Sequence, residues 1–167
     1  WQKNEMPPHV LVMTATPIPR TLAMSVYGDL DLSVIDELPP GRKTVKTLHR
    51  TDANRLKVFA FLKEQIALGR QVYIVYPLIQ ESSKLDYKDL MDGYESLSRS
   101  FPTPDYQISI LHGQMKSEDK AYEMERFVQG KTQIMVATTV IEVGVNVSNA
   151  SVMIIESAER FGLSQLH

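Results

Sequence analysis

Two stretches of the chain join hydroxyls to backbone-breaking residues at the end of an apolar run: Thr14-Ala-Thr-Pro-Ile-Pro-Arg20 and Val136-Ala-Thr-Thr-Val-Ile-Glu-Val-Gly-Val-Asn146. A buried strand needs this pattern where its C-terminal end faces an anion. Thr hydroxyls and turn N–H groups reach phosphate oxygens without bringing charge into the sheet. In the second stretch Thr138 and Thr139 supply hydroxyls, and Gly144 lets a ligand approach the backbone closely. Asn146 offers an amide to a ribose hydroxyl or a facing side chain. An ordinary strand–turn–helix connection capped by Thr has the same composition, so the residues alone leave both readings open. In the first stretch Pro17 and Pro19 hold Thr14 and Thr16 rigidly at a strand end with Arg20 beyond them. That suits a coupling element between two lobes, although proline-terminated strands are common.

A third strand end, Leu111-His-Gly-Gln-Met115, sets His112 and the free N–H of Gly113 where an anion can meet them. A single His is more often a partly buried hydrogen-bonding residue. His112 as a metal ligand is not supported, because no second ligand stands at helical or hairpin spacing. The four histidines are scattered (9, 49, 112 and 167). No Ser-His-Asp arrangement is evident, and Asp36-Glu37 reads as a solvated turn. The chain has no G-x-x-x-x-G-K-[ST], so it has no loop of that kind to wrap nucleotide phosphates.

The elements that position these strand ends follow from composition and pattern. At 167 residues, 43% hydrophobic and 23% charged, the chain has material for one core. It lacks cysteine, which excludes disulfides and a Cys-based zinc site and favours a reducing cytoplasm. No apolar run approaches the ~20 residues of a membrane span, and no secretory leader pattern opens the chain. A net charge of −2 argues against bulk electrostatic capture of nucleic acid, so any such contact must be local. One local basic stretch, Gly41 to Arg50, is either a phosphate-contacting linker or a solvated connector or edge strand guarded by Lys.

Patterning predicts a strand at His9–Thr14, a short helix at Thr21–Tyr27 and a strand-like run at Leu30–Leu38. Pro39-Pro40-Gly41 marks a domain boundary. Beyond it come a strand at Val45–His49, a helix capped by Thr51 or Asp52 and closed by Gly69, and a strand at Gln71–Tyr76 ended by Pro77. A polar loop over 80–87 precedes a helix at Lys88–Phe101. Then come a strand at Ile108–Leu111, a helix capped by Ser117 and closed by Gly130, and strands at Ile134–Ala137 and Val152–Ile155, both read as buried on two faces. The alternation predicts a doubly wound α/β domain with its binding edge at the strand C-termini.

Taken in order, TATPIPRTLA (14–23), YGDLDLSVIDELPPGR (27–42), VYPLIQES (75–82), LHGQM (111–115), ATTVIEVGVNV (137–147) and SAERFGLSQLH (157–167) closely resemble the motor of the RecG family. These are ATP-dependent, branch-migrating DNA helicases of superfamily 2, acting in recombination and repair. The motor of transcription–repair coupling factors is the nearest alternative. The resemblance implies a RecA-like parallel sheet with helices on both faces, preceded by a tail of the neighbouring lobe. Residues 1–43 would be the end of the first lobe and the linker, and residues 44–167 most of the second lobe. Thr14, Ala15, Thr16 and Arg20 would form the coupling motif. His112, Gly113, Thr138 and Thr139 would touch DNA, while Glu142, Gly144 and Asn146 would face the nucleotide. Tyr73–Leu78 corresponds to the family's fourth motif. Two departures stand out: Asn146 where the family commonly shows Asp, and Ser148 where it shows Pro. A charged role at position 146 is thereby put in doubt.

The implied cofactors are ATP and Mg²⁺ in the whole motor, with none held tightly by this chain and no structural metal. The implied partners are branched or duplex DNA, gripped through the phosphate backbone, and the first motor lobe; no membrane is involved. Lacking the phosphate-binding loop, the Mg²⁺ carboxylate and the arginine-bearing motif, the chain alone is expected neither to hydrolyse ATP nor to unwind DNA. Two rivals of other classes are an inert docking module and a free-standing enzyme with a small phosphorylated ligand at the switch point.

Overall fold

The computed structural model describes residues 9, 11, 13, 31, 33–37, 40, 41, 43–77, 83–138 and 147–160. The chain divides into two compact units, Trp1–Thr47 and Leu48–His167. In the first unit the described residues lie outside regular elements, and Leu11, Met13, Val34 and Ile35 are exposed. The buried strand expected at His9–Thr14 is therefore absent at His9, Leu11 and Met13, and the strand-like reading fails over residues 33–37. The helix expected at Thr21–Tyr27 lies outside the described residues.

Residues 43–50, which straddle the two units, are exposed and without regular structure, so no strand forms at Val45–His49. The pattern gives the reason: Val45 and Leu48 fall on opposite faces of an extended chain, which leaves no apolar face to bury. After a 3-10 turn at Asp52–Asn54 come α1 (Arg55–Ala67), β1 (Gln71–Tyr76), α2 (Ser83–Ser100), β2 (Ile108–Leu111), α3 (Ser117–Val128), β3 (Ile134–Thr138) and β4 (Ala150–Ile155). The predicted helix and strand centres hold, but the starts shift. α2 begins inside the expected polar loop, because residues 83–87 contain no Gly or Pro to stop it. Ser117 is the first helical residue rather than the cap; Lys116 stands at the cap and makes no side-chain bond there. Thr51 and Asn54 likewise make no side-chain capping bond; their side chains bond to each other instead, Asn54 Nδ2 donating to Thr51 Oγ1 at 3.2 Å.

α1 and α3 end in the same way. Gly69 and Gly130 take φ of +79° and +72°. At each end the glycine N–H and the N–H after it turn back to the helix carbonyls: Gly69 to Ile66 and Arg70 to Gln65, Gly130 to Phe127 and Lys131 to Arg126. This satisfies the orphan carbonyls in a conformation that side chains resist.

The sheet is parallel, in the order β2-β3-β1-β4. Its faces alternate by residue. Val72, Ile74, Ile134 and Val136 pack with Leu62 of α1 and Leu90, Leu97 and Phe101 on the α2 side. Tyr73, Leu111, Met135 and Ala137 face Phe127 of α3. β3 is buried throughout, as its unbroken apolar run predicts. β4 is not: it sits at the sheet edge, its burial alternates, and Met153 is exposed. An unalternated run does not tell an edge strand from a central one.

Gln71 ties α3 to the sheet. Its buried amide donates to the carbonyls of Phe127 (2.6 Å) and Thr132 (2.7 Å) and accepts from Asn149 (3.1 Å). Gln71→Leu removes both bonds and leaves the Phe127 carbonyl with only the Gly130 N–H; the expected cost is about 1–3 kcal/mol by urea unfolding. Phe127→Ala, which empties the fully buried seat against Tyr73, is expected to cost about 3–5 kcal/mol. Losses below half these values would show that α3 is not anchored this way.

Candidate functional site

The registers place three strand ends side by side. Tyr76 pairs with Thr138, and Leu111 with Ala137, so His112 leaves β2 level with Thr138. Tyr76, Thr138 and His112 thus form a row across the C-terminal edge of β1, β3 and β2, at the crevice where ligands of such sheets bind. Local chemistry ends β1 and β2 here. Pro77 withholds a ladder N–H, and the chain turns at His112–Met115, where the Met115 N–H donates to the His112 carbonyl at 3.2 Å.

α2 covers part of this row. The Tyr87 ring meets the His112 imidazole edge-on at 5.1 Å between centroids. Farther along the helix, Gly93 lies against the Tyr76 hydroxyl and ring, with no room for a Cβ. Among the described residues, the buried side-chain polar atoms without a hydrogen-bond partner are the Tyr76 hydroxyl, Thr138 Oγ1 and His112 Nδ1. Folded proteins leave few such atoms, since each costs about 1–3 kcal/mol. Here all three fall on one row at the C-terminal edge of the sheet, which makes that row the candidate site.

The electrostatics differ along the row. Burial, and secondarily the charge of Lys120, holds His112 below the usual imidazole range. Lys120 Nζ donates to the Gly113 carbonyl at 3.3 Å. Burial, reinforced by the Glu156 carboxylate, pushes the Tyr76 phenol up to about 12 against the opposing pull of Arg55, whose guanidinium stands near the hydroxyl but outside hydrogen-bonding geometry. Tyr76 is therefore a neutral hydroxyl throughout the physiological range. Beside it opens a cavity of 380 Å³ whose lining includes Arg55, Asp89, Asp92, Glu156 and Arg160. Arg55 meets Glu156 at 3.5 Å, so the cavity is polar and of mixed charge.

Of the residues singled out from the sequence, His112, Gly113 and Thr138 lie together on this edge. Thr138 is buried, at 3% exposure. Thr14, Ala15, Thr16, Arg20, Thr139, Glu142, Gly144 and Asn146 lie outside the described residues. Tyr76, Tyr87 and Lys120 were missed. Tyr76 carried a weak signal, an aromatic hydroxyl just before a strand-ending proline. Tyr87 and Lys120 carried none, because only packing brings them to His112. Among the described residues, no group of three or more His, Cys, Asp or Glu could hold a metal ion. No described helix is long and apolar enough to cross a membrane.

Residues 55–167 match the helicase conserved C-terminal domain family. The chain is 52% identical over 160 residues to the ATP-dependent DNA helicase RecG of Synechocystis sp., covering 96% of this chain and 19% of that protein. It is 52% identical over 160 residues to the RecG helicase of Aquifex aeolicus, again covering 96% of this chain and 20% of that protein. For the Bacillus subtilis RecG helicase the identity is 49% over 160 residues, with coverage of 96% and 23%. The chain thus spans about a fifth to a quarter of the length of these relatives.

Gly93→Ala, which in an exposed helix interior would stabilise by up to about 1 kcal/mol, is expected to destabilise here because the methyl displaces Tyr76; urea midpoints decide the sign. Tyr76→Phe and Thr138→Val remove orphan hydroxyls and are expected to leave stability unchanged or slightly raised; a loss above about 1 kcal/mol would reveal a partner. The depressed His112 also sets a pH dependence. Its contribution is present above about pH 6.5, the ordinary imidazole value, and is lost as the pH falls towards its lower folded value. Urea midpoints between pH 7.5 and 5.5 are expected to fall more for wild type than for His112→Gln.

Proposed function

The chain belongs to the helicase conserved C-terminal domain family, and on that premise we propose that it serves as the second motor lobe of a RecG-type, ATP-dependent DNA helicase. Residues 44–167 form that lobe, and residues 1–43 are the end of the first lobe and the linker. The observation that carries the reading is the span of the likeness. About half the residues are identical over 96% of the chain in relatives named as such helicases. That span includes the edge on which His112, Gly113 and Thr138 lie.

In the whole motor, this edge meets the phosphate backbone of branched or duplex DNA during recombination and repair in the cytoplasm. Thr14, Ala15, Thr16 and Arg20 couple the two lobes. Thr139 joins the DNA contacts, while Glu142, Gly144 and Asn146 face the nucleotide. The described residues supply the DNA side of that work. An imidazole N–H and a backbone N–H are donors that position a backbone without reading bases, so binding is largely independent of sequence. ATP supplies the driving energy when bound between the lobes. Mg²⁺ would accompany ATP in the whole motor.

Fluorescence anisotropy of the purified chain against a forked DNA tests the reading. Lys120 is the cation tied to this edge, and for one neutralised phosphate the affinity is expected to fall about three- to fourfold between about 50 and 200 mM salt. His112→Ala and Thr139→Ala are each expected to weaken binding about fivefold, the loss of one modest hydrogen bond. Absence of binding at low salt would overturn a DNA-facing edge in this chain. No DNA-stimulated ATPase is expected of the chain alone, and a detectable rate would refute the division of labour.

A further inference from the structure

The imidazole at the candidate site sits in an asymmetric setting. His112 Nδ1 is buried without a partner, whereas Nε2 is not among the buried unpartnered atoms. The Tyr87 ring stands edge-on to the imidazole at 5.1 Å. Lys120, from the first half of α3, is tied to the adjacent Gly113 carbonyl. We infer that His112 meets a phosphodiester oxygen as a neutral imidazole donating from Nε2, with Tyr87 holding the ring and Lys120 supplying the positive charge beside it. The inference rests on the DNA-facing reading above and names the atom that makes the contact.

A neutral imidazole carries one N–H donor and one lone pair, while the cation carries two donors. The cation would bury an Nδ1–H with no acceptor. The Nδ1–H tautomer would do the same, and orphaned buried N–H groups are rarer in folded proteins than under-satisfied acceptors. Leaving the lone pair on the buried nitrogen turns the proton outward on Nε2. The groups that meet the imidazole from neighbouring helices, Tyr87 of α2 and Lys120 of α3, offer Nδ1 no acceptor and oppose a second positive charge; burial acts in the same direction. Lys120 spends one of its three N–H donors on the Gly113 carbonyl, which leaves two for an anion. Tyr87 is a positioning residue: it fixes the ring plane.

Nitrogen-detected NMR of the full chain labelled with ¹⁵N-histidine separates the possibilities, with the His112 signals assigned by their loss in His112→Gln. The expected result at pH 7.5 is the Nε2–H tautomer, titrating below 6.5; an Nδ1–H tautomer or an imidazolium at that pH overturns the inference. Tyr87→Ala is expected to mix the tautomer signals while the fold persists, and an unchanged pattern removes Tyr87 from its role. Forked-DNA anisotropy supplies the second arm. His112→Gln, whose amide nitrogen replaces Nε2, is expected to bind within about threefold of wild type. His112→Asn, which mimics Nδ1, is expected to lose about tenfold; the reverse order overturns the contact. Lys120→Gln is expected to lower the salt slope by about one unit. Absence of wild-type binding together with the Nε2–H signature overturns the DNA-facing reading and the contact, while the tautomer stands.

Discussion

Five consecutive pairs between β1 and β3, from Val72 with Ile134 to Tyr76 with Thr138, form the spine of the described fold. Both strands are interior to the sheet, and alternate residues of each feed two separate cores. β2 adds to one side, β4 to the other, and each helix takes the face its apolar residues can fill. Because the pairing is parallel, the C-terminal ends of all these strands lie at one edge. A slip of one residue would exchange the two cores and separate Tyr76 from Thr138.

The packing of α2 turns that edge into a site. Gly93 lets the helix come close to β1 over Tyr76, and the first turns bring Tyr87 to His112. The result is a covered row of polar atoms without partners. On stability alone such a row is a defect, because apolar residues of similar shape would spare the desolvation cost. Its position at the end of three adjacent strands makes it intelligible as part of a binding edge. The opposite end of the sheet shows the contrast: there both N–H groups and the oxygen of the Gln71 amide find partners.

The family resemblance and the geometry bear on different residues. The resemblance draws on motifs at both ends of the chain, including the Thr14–Arg20 stretch and the segment after Thr138. The geometry draws on the sheet edge between them: it gives a place to Tyr76, which the fourth motif contains without a role, and adds Tyr87 and Lys120, which no motif contains.

Much of the architecture was legible in the residues. Gly69 and Gly130 announced two helix ends, Pro77 ended β1, and the unbroken run Ile134–Ala137 announced a strand buried on both faces. Val45–His49 and the start of α2 misled, since short alternations and polar runs carry little information without their surroundings. β4 misled for a further reason: whether an apolar strand is central or at an edge depends on which strands flank it. Local backbone preference and hydrophobic period are encoded residue by residue, so the sequence by itself determined the elements, their class and the chemistry at the strand ends. Register, strand order and the seat of α2 arise from contacts between residues far apart in the chain. Only the tertiary structure could therefore align Tyr76, Thr138 and His112, leave their inner atoms unpaired, and bring Tyr87 and Lys120 beside the imidazole.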